Sequence, residues 1–539
     1  MRKFIFVVGG VMSGIGKGTS AASLATILKS KGFKVAPMKI DPYLNVDAGT
    51  MNPVEHGEVF VTKDGVETDQ DIGIYERFLH EDLTKENYLT LGKVFFEVLR
   101  KERNLEYGGK CVEVIPHITD EIIFKIENLG IKKRADFVIV EIGGTVGEYQ
   151  NMLFLEAARQ MKLKRPKDVI FILVSYLPVP EMLGEMKTKP TQTATRLLNE
   201  AGIQPNFVIA RAKVSIDEPR KRKISLFCNV KPENVISAPD VQNIYEIPLN
   251  FEKEDFGNKV LKAFGLREKN SKLKPWKKLV EKIKNVSEEV KIGIVGKYFG
   301  TGKFVLMDSY ISVVEAIKHA CWFFNKKPKV FWLDSEDYEK EPQKIVELKK
   351  FDGIVVPGGF GKRGIEGKIK AIAFCRKKKI PFLGLCLGMQ LAVVEFAQNV
   401  ANLKGAHSTE FDPNTPYPVV DLLAEQKEKI AKKDFGGTMR LGDYACKLKK
   451  GTKAFLAYKK EVVFERHRHR YEFNNDFRQI LEKKGLVISG ENPERNLVEI
   501  VELKSHPFFL ATQFHPEFKS RPFSPHPLFL SFVKAAIKK

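Results

Sequence analysis

The chain has 539 residues, 43% hydrophobic and 29% charged, the balance of a globular protein, and no unbroken apolar run of about 18 residues offers a membrane span. That length exceeds what one hydrophobic core supports, so two domains are expected. The formal charge of +22 would suit nucleic acid, but the excess lies in scattered lysines such as Lys377-Lys378-Lys379 and residues 447–453 without interleaved aromatics; this is the pattern of a solvated face, and it suits small anionic nucleotides with no nucleic acid and no membrane as partners.

In chain order, Met1-Arg2-Lys3 leads into an apolar strand at residues 4–8, and a glycine loop follows it where a signal peptide would have a cleavage site. A cytoplasmic location is the default. A helix over residues 20–31 and a strand over 35–40 then open a parallel α/β sheet, and residues 136–141, 168–174 and 206–210 repeat the buried-strand pattern. Residues 266–285 are Lys-rich, interrupted by Pro275 and poor in strand signals, so the domain boundary is expected there. A second α/β series runs through a strand at 290–295, an amphipathic stretch at 310–323, and strands at 329–333 and 353–356, to a turn at Cys386. Six cysteines without a Cys-x-x-Cys pair argue against a disulfide framework or a zinc site. Cys111, Cys228, Cys321, Cys375 and Cys446 read as small core residues.

The loop Gly9-Gly10-Val11-Met12-Ser13-Gly14-Ile15-Gly16-Lys17-Gly18-Thr19 joins the first strand to the first helix, where backbone N–H groups and the helix dipole can cradle phosphates and Lys17 supplies a point charge. It departs from Gly-x-x-x-x-Gly-Lys-Ser/Thr: Val11 stands at the first glycine and Gly18 at the hydroxyl position. Glu141 ends a later apolar strand, as a metal-binding carboxylate does in phosphoryl-transfer enzymes, and Asp71 is a second candidate for Mg²⁺. Either acid could instead cap a helix, and for Asp71 the sequence leaves that open.

In the second half, Gly384-Leu385-Cys386-Leu387-Gly388 follows an apolar run, so a thiol can be held at a strand-to-helix turn where a helix N-terminus favours the thiolate. Far downstream, His515-Pro516-Glu517 follows the extended run 508–514. A His with a carboxylate two residues on can place both side chains on one strand face, so that Glu517 orients His515. Pro357-Gly358-Gly359-Phe360-Gly361 and the N–H of Leu387 can approach a developing oxyanion. His467 and His469 lie among Arg466, Arg468 and Arg470, which would repel a metal and favour a substrate carboxylate.

At these residues the chain resembles the CTP synthase family. Ser13-Gly14-Ile15-Gly16-Lys17-Gly18, Lys39-Ile40-Asp41-Pro42-Tyr43-Leu44-Asn45, Glu55-His56-Gly57-Glu58-Val59-Phe60, Lys187-Thr188-Lys189-Pro190-Thr191-Gln192 and Ile224-Ser225-Leu226-Phe227-Cys228-Asn229-Val230 match its synthetase half; the rest is similar to a class I glutamine amidotransferase. The fold class so implied is α/β, with a P-loop-type parallel-sheet synthetase domain over 1–267, a linker over 268–289 and a second α/β glutaminase domain over 290–539. The resemblance implies a triad of Cys386, His515 and Glu517 that releases ammonia from L-glutamine; ATP phosphorylates O4 of UTP, and ammonia, passed internally, attacks C4 to give CTP. It implies ATP at Gly14, Ile15, Gly16, Lys17, Gly18, Thr19, Asp71, Asp240 and Val241, with Mg²⁺ on Asp71 and Glu141 and Lys39 neutralising phosphates. UTP or CTP would meet Ser13, Glu148, Tyr149, Gln150, Lys187, Thr188, Lys189, Pro190, Thr191, Gln192 and Lys223. Glutamine would meet Gly359, Leu387, Gly388, Met389, Gln390, Glu410 and Arg470. A homotetramer activated by GTP and inhibited by CTP is the family expectation, with Arg363 and Arg440 as guesses for GTP.

The chain departs from the family pattern at Glu148-Tyr149-Gln150, where the family senses CTP, at Thr193 after Gln192, at Ile74 before Tyr75-Glu76-Arg77 and across residues 175–182. One rival reading is another amidoligase with a glutaminase domain, of the cobyric acid synthase type, which leaves residues 187–192 unexplained. A second is a non-catalytic ATP switch or nucleic-acid binder, against which the intact triad speaks.

Overall fold

The computed structural model describes every residue except 1, 52–56, 183, 271–272, 298–299, 302–303, 306, 423–438 and 539. Glu55 and His56 of the family motif lie outside the described residues. The chain divides into two compact units, Met1–Ala48 with Asp71–Val280, and Gly49–Gln70 with Glu281–Lys539. The segment Gly49–Gln70 therefore groups with the second unit although it precedes most of the first.

The first unit is built on a seven-stranded parallel sheet, in the order Tyr88–Thr90, Val35–Asp41, Phe137–Ile142, Lys3–Gly9, Val169–Tyr176, Phe207–Ala212 and Val235–Pro239. Its central strands are near-continuous apolar runs because helices cover both faces: Phe4, Ile5, Phe6, Phe171, Ile172 and Leu173 are all buried. Successive elements leave Lys3–Gly9 on either side, so a crevice opens at the carboxyl end of this strand, the place where open α/β sheets bind ligands. The expected strands are all present, each within one or two residues of its expected start. The first helix starts earlier than its apolar pattern suggests, at Lys17, which puts Lys17 and Gly18 in the turn where free N–H groups collect.

The stretch read as a linker carries the helix Lys274–Asn285. Pro275 falls in its first turn, where a missing N–H costs nothing, and Trp276 is buried with its indole N–H on the carbonyl of Tyr245 at 2.6 Å.

The second unit holds a nine-stranded mixed sheet. Lys327–Asp334, Glu289–Gly296, Gly353–Val356, Phe382–Leu385 and Phe509–Thr512 run parallel. Leu497–Leu503, Leu486–Asn492, Arg440–Leu448 and Val462–His469 extend the sheet antiparallel, an extension that the α/β pattern did not foretell. Four of the five cysteines expected in the core are buried, while Cys111 is exposed.

Candidate active site

In the second unit, Cys386 stands between the strand Phe382–Leu385 and the helix Leu387–Asn399 with φ 51° and ψ −103°. A side-chain-bearing residue at positive φ is strained, and such strain collects where a side chain must be aimed. The flanking glycines make the turn possible: a Cβ on Gly388 would run into the carbonyl of Val356, and one on Gly384 would lie 2.8 Å from the carbonyl of Gly388. Leu387 opens the helix, so its N–H is among those with no helical acceptor.

His515 and Glu517 meet as expected, Nδ1 to Oε1 at 2.7 Å, but not on a strand face. The strand Phe509–Thr512 ends before them, and His515 precedes a 3-10 turn, Pro516–Lys519. Pro516 cannot donate to a ladder, so the chain turns there, and the turn brings the carboxylate back to Nδ1 at the edge of the ring. The imidazole stacks on Phe518 with centroids 5.0 Å apart and 14° between planes. Its Nε2 makes no hydrogen bond and is the nitrogen left to exchange a proton with the thiol. Burial opposes a charged ring, yet Glu517 and then Cys386 outweigh it, and the His515 pKa is pushed up to about 10. The charged imidazolium form of the ring is the state this favours.

A pocket beside the thiol is lined by Gly359, Phe360, Cys386, Leu387, Gln390, Glu410, His469, Arg470 and Tyr471. Five of the seven residues expected to bind glutamine thus share one cavity; Gly388 and Met389 serve the helix behind it. Burial raises the Glu410 carboxyl above its ordinary value against the pull of Lys297 and Arg470. His469 belongs to this pocket, with burial and Arg440 holding it well below the usual histidine range. His467 does not: it is fully buried between the carbonyl of Glu465 and the carboxylate of Glu499, at 2.9 and 2.7 Å. Arg440, guessed for GTP, is also interior, paired with Glu472 and Glu499 at 2.9 Å each. Arg363 is half-exposed and paired with Glu336 at 2.9 Å.

In the first unit the glycine loop sits at the carboxyl end of the strand Lys3–Gly9. Gly14 and Gly16 take φ of 71° and 85°, and Val11 takes 80°. Valine therefore holds, under strain, the left-handed conformation that a glycine adopts freely. Gly18 also has its reason: a Cβ there would collide with the Asp71 carboxylate, so no hydroxyl residue fits. Lys17 is buried and donates to the carbonyl of Gly144 at 2.8 Å. Burial draws its ammonium below the ordinary value, against Glu141 and with repulsion from Lys39.

Asp71 and Glu141 converge on one cation, the Lys39 ammonium, which bonds Asp71 and lies 3.2 Å from Glu141. Burial and the Asp71 charge push the Glu141 carboxyl up to about 7, opposed by Lys39 and Lys17. Tyr75 donates to the other Glu141 oxygen; no sequence signal pointed to it. Asp240 pairs with Arg211 at 3.0 Å, and the Arg211 guanidinium reaches the side of Gly16.

The segment 187–192 leads into the helix Lys189–Glu200. Ala194 of this helix packs so tightly on Gly10 that a Cβ there would clash, which brings the segment to the glycine loop. Thr191 is fully buried and bonded to Ser175 at 2.9 Å, Gln192 donates to Thr188 at 3.1 Å, and Lys187 pairs with Glu185 at 2.7 Å. Ser13, Glu148, Tyr149, Gln150 and Lys223 are exposed. The Glu148 carboxylate flanks Gly144, the residue that accepts from Lys17.

Comparison with known proteins covers both units. Residues 3–266 match the CTP synthase N-terminus family and residues 305–535 the class-I glutamine amidotransferase family. A CTP synthase of Caldanaerobacter subterraneus is 54% identical over 540 aligned residues, covering 100% of this chain and 98% of its own. The chain belongs to the CTP synthase family. A CTP synthase of Bacillus subtilis is 51% identical over 100% of this chain and 99% of its own. The solved glutaminase domain of the Trypanosoma brucei CTP synthase, with bound acivicin, is 39% identical over 46% of this chain and 94% of its own, with a TM-score of 0.43. Within the CTP synthase frame, sequence reasoning passed over Tyr75, Arg211 and Gln513 (3.9 Å from the Cys386 sulfur), and it read Arg468 for its charge and not for its carbonyl, which accepts from that sulfur at 3.7 Å. Only Arg468 carried a signal, as a cation inside the Arg/His run.

Proposed function

We propose that this enzyme makes CTP from UTP and ATP with nitrogen from L-glutamine. The observation that carries the reading is Cys386 on its strained turn, with Nε2 of a Glu517-bound His515 unengaged, in a chain whose other unit carries a lysine-bearing phosphate loop. His515 takes the thiol proton, and the thiolate attacks the side-chain amide carbon of glutamine. The N–H groups of Gly359 and Leu387 receive the oxyanion while Glu410 and Arg470 hold the ends of the amino acid. His515 returns its proton to the leaving nitrogen, and ammonia departs. Water then cleaves the thioester to glutamate, with His515 as base.

In the first unit, ATP would lie on Gly14, Ile15, Gly16, Lys17, Gly18 and Thr19, with Asp240 and Val241 by the adenine. UTP would meet Ser13, Glu148, Tyr149, Gln150, Lys187, Thr188, Lys189, Pro190, Thr191, Gln192 and Lys223. The γ-phosphoryl group passes to O4 of UTP, ammonia attacks C4 and phosphate leaves, for a balance of UTP, ATP and NH₃ against CTP, ADP and phosphate. Asp71 and Glu141 fit Mg²⁺ and would hold it, because the two carboxylates already converge on one cation, the Lys39 ammonium, beside the glycine loop. When bound it neutralises charge on the transferred phosphoryl group. GTP activation, CTP inhibition, a homotetramer and a cytoplasmic location complete the proposal, all on family likeness.

The test is Cys386→Ala assayed with both nitrogen sources. Synthesis from glutamine should vanish while synthesis from ammonium salts persists. Loss of both in a folded variant would refute two separate sites.

A further inference from the structure

Two buried lysines hold the two ends of the loop formed by residues 357–361. Lys368, fully buried on the helix Ile365–Lys378, donates to the carbonyl of Pro357 at 3.4 Å. Lys297, buried just after the strand Glu289–Gly296, donates to the carbonyl of Gly361. The residues between, Gly358, Gly359 and Phe360, all face Cys386 in one pocket. Gly358 packs so closely that a Cβ on it would lie 3.1 Å from Cε1 of His515 and 3.6 Å from Cβ of Cys386. A displacement of about 1 Å in this loop would thus move its N–H groups relative to the reacting carbon, enough to cost about 100-fold in rate.

The fold itself does not call for an amine at residue 368. Among the described residues no carboxylate stands within ion-pairing distance of Lys368, and an apolar side chain of similar volume would fill the slot at lower cost. Burial, with repulsion from Lys297, draws its ammonium well below the lysine range, while Cys386 and Asp334 pull the other way. Burial brings Lys297 down to about 8. Both amines can therefore shed their charge and still donate a hydrogen bond.

We propose that Lys368 and Lys297 are positioning residues that clamp the two ends of the loop, so that its peptide N–H groups face the oxyanion formed at Cys386. This rests on Cys386 being the nucleophile.

The experiment compares Lys368→Met with wild type in the full-length chain. The readouts are kcat and KM for glutamate release, the rate at which iodoacetamide alkylates Cys386, synthesis from ammonium salts, and melting temperature. The last two verify folding. For Lys368→Met, kcat should fall roughly 10- to 100-fold with KM within about threefold, because the loss falls on the transition state. Alkylation should stay within about twofold, since displacement at a saturated carbon forms no oxyanion. A folded variant with kcat within about threefold of wild type overturns the clamp, and so does alkylation that falls in parallel with hydrolysis. Lys297→Met must show the same kcat loss, and a wild-type kcat there also overturns the clamp; this arm decides if Lys368→Met does not fold. Were the nucleophile misassigned, Cys386→Ala would still release glutamate, a result distinct from failure of the clamp.

Discussion

Replacing Glu517 by Gln isolates what the carboxylate contributes to His515. The amide keeps the shape and can still accept from Nδ1 across the 2.7 Å contact, so the ring stays in place while the charge is lost. The imidazolium formed as the thiolate attacks then loses a charge-assisted hydrogen bond in a buried setting, worth about 1.5–3 kcal/mol. At about 1.4 kcal/mol per decade, kcat for glutamate release should fall roughly 10- to 150-fold. A pH signature accompanies the loss. In wild type the ring holds its proton up to about 10 because Glu517 and Cys386 outweigh burial. Removing the carboxylate lowers that pKa, so the imidazolium is lost at lower pH and the alkaline limb of the rate profile must move down. The assay is glutamate release from about pH 6 to about pH 10, with ammonium-driven synthesis as the folding control. An unmoved alkaline limb, or a kcat within about threefold of wild type, would refute the reasoning.

Gly18→Ala drives a methyl into the Asp71 carboxylate; synthesis from either nitrogen source should collapse while the second unit still hydrolyses glutamine, and wild-type synthesis would count against the Gly18–Asp71 packing. Val11→Gly relieves a valine held at φ 80°, so the melting temperature should rise by the equivalent of about 1 kcal/mol; a fall would show that the valine side chain contributes more than its backbone costs. Glu141, pushed up to about 7 by burial and Asp71, takes a proton as pH falls. Affinity for Mg²⁺ and ATP, followed by calorimetry, should therefore weaken as pH drops through that value, and Glu141→Gln should abolish the dependence; an unchanged pH dependence in that variant would remove Glu141 from the metal site.

Much of this protein follows from short-range pattern. The run from Phe4 to Val8, the glycines of residues 9–18 and the Gly-Leu-Cys-Leu-Gly turn announce strand, loop and elbow because each depends on residues adjacent in the chain, where backbone sterics and apolar patterning act directly. His515 and Glu517 were legible as a pair for the same reason, although Pro516 replaced the expected strand face with a turn. Other features needed the tertiary structure. That Gly18 must be glycine depends on Asp71, 53 positions away in the sequence. That Lys39 bridges Asp71 and Glu141 depends on a helix set against two strands, and that Arg440 is an interior ion pair depends on carboxylates from two other strands. That Lys368 and Lys297 reach the two ends of one loop depends on a helix and a strand packed on either side of it. Burial and charge pairing arise only when distant segments meet, and a linear pattern carries no record of which segments those are.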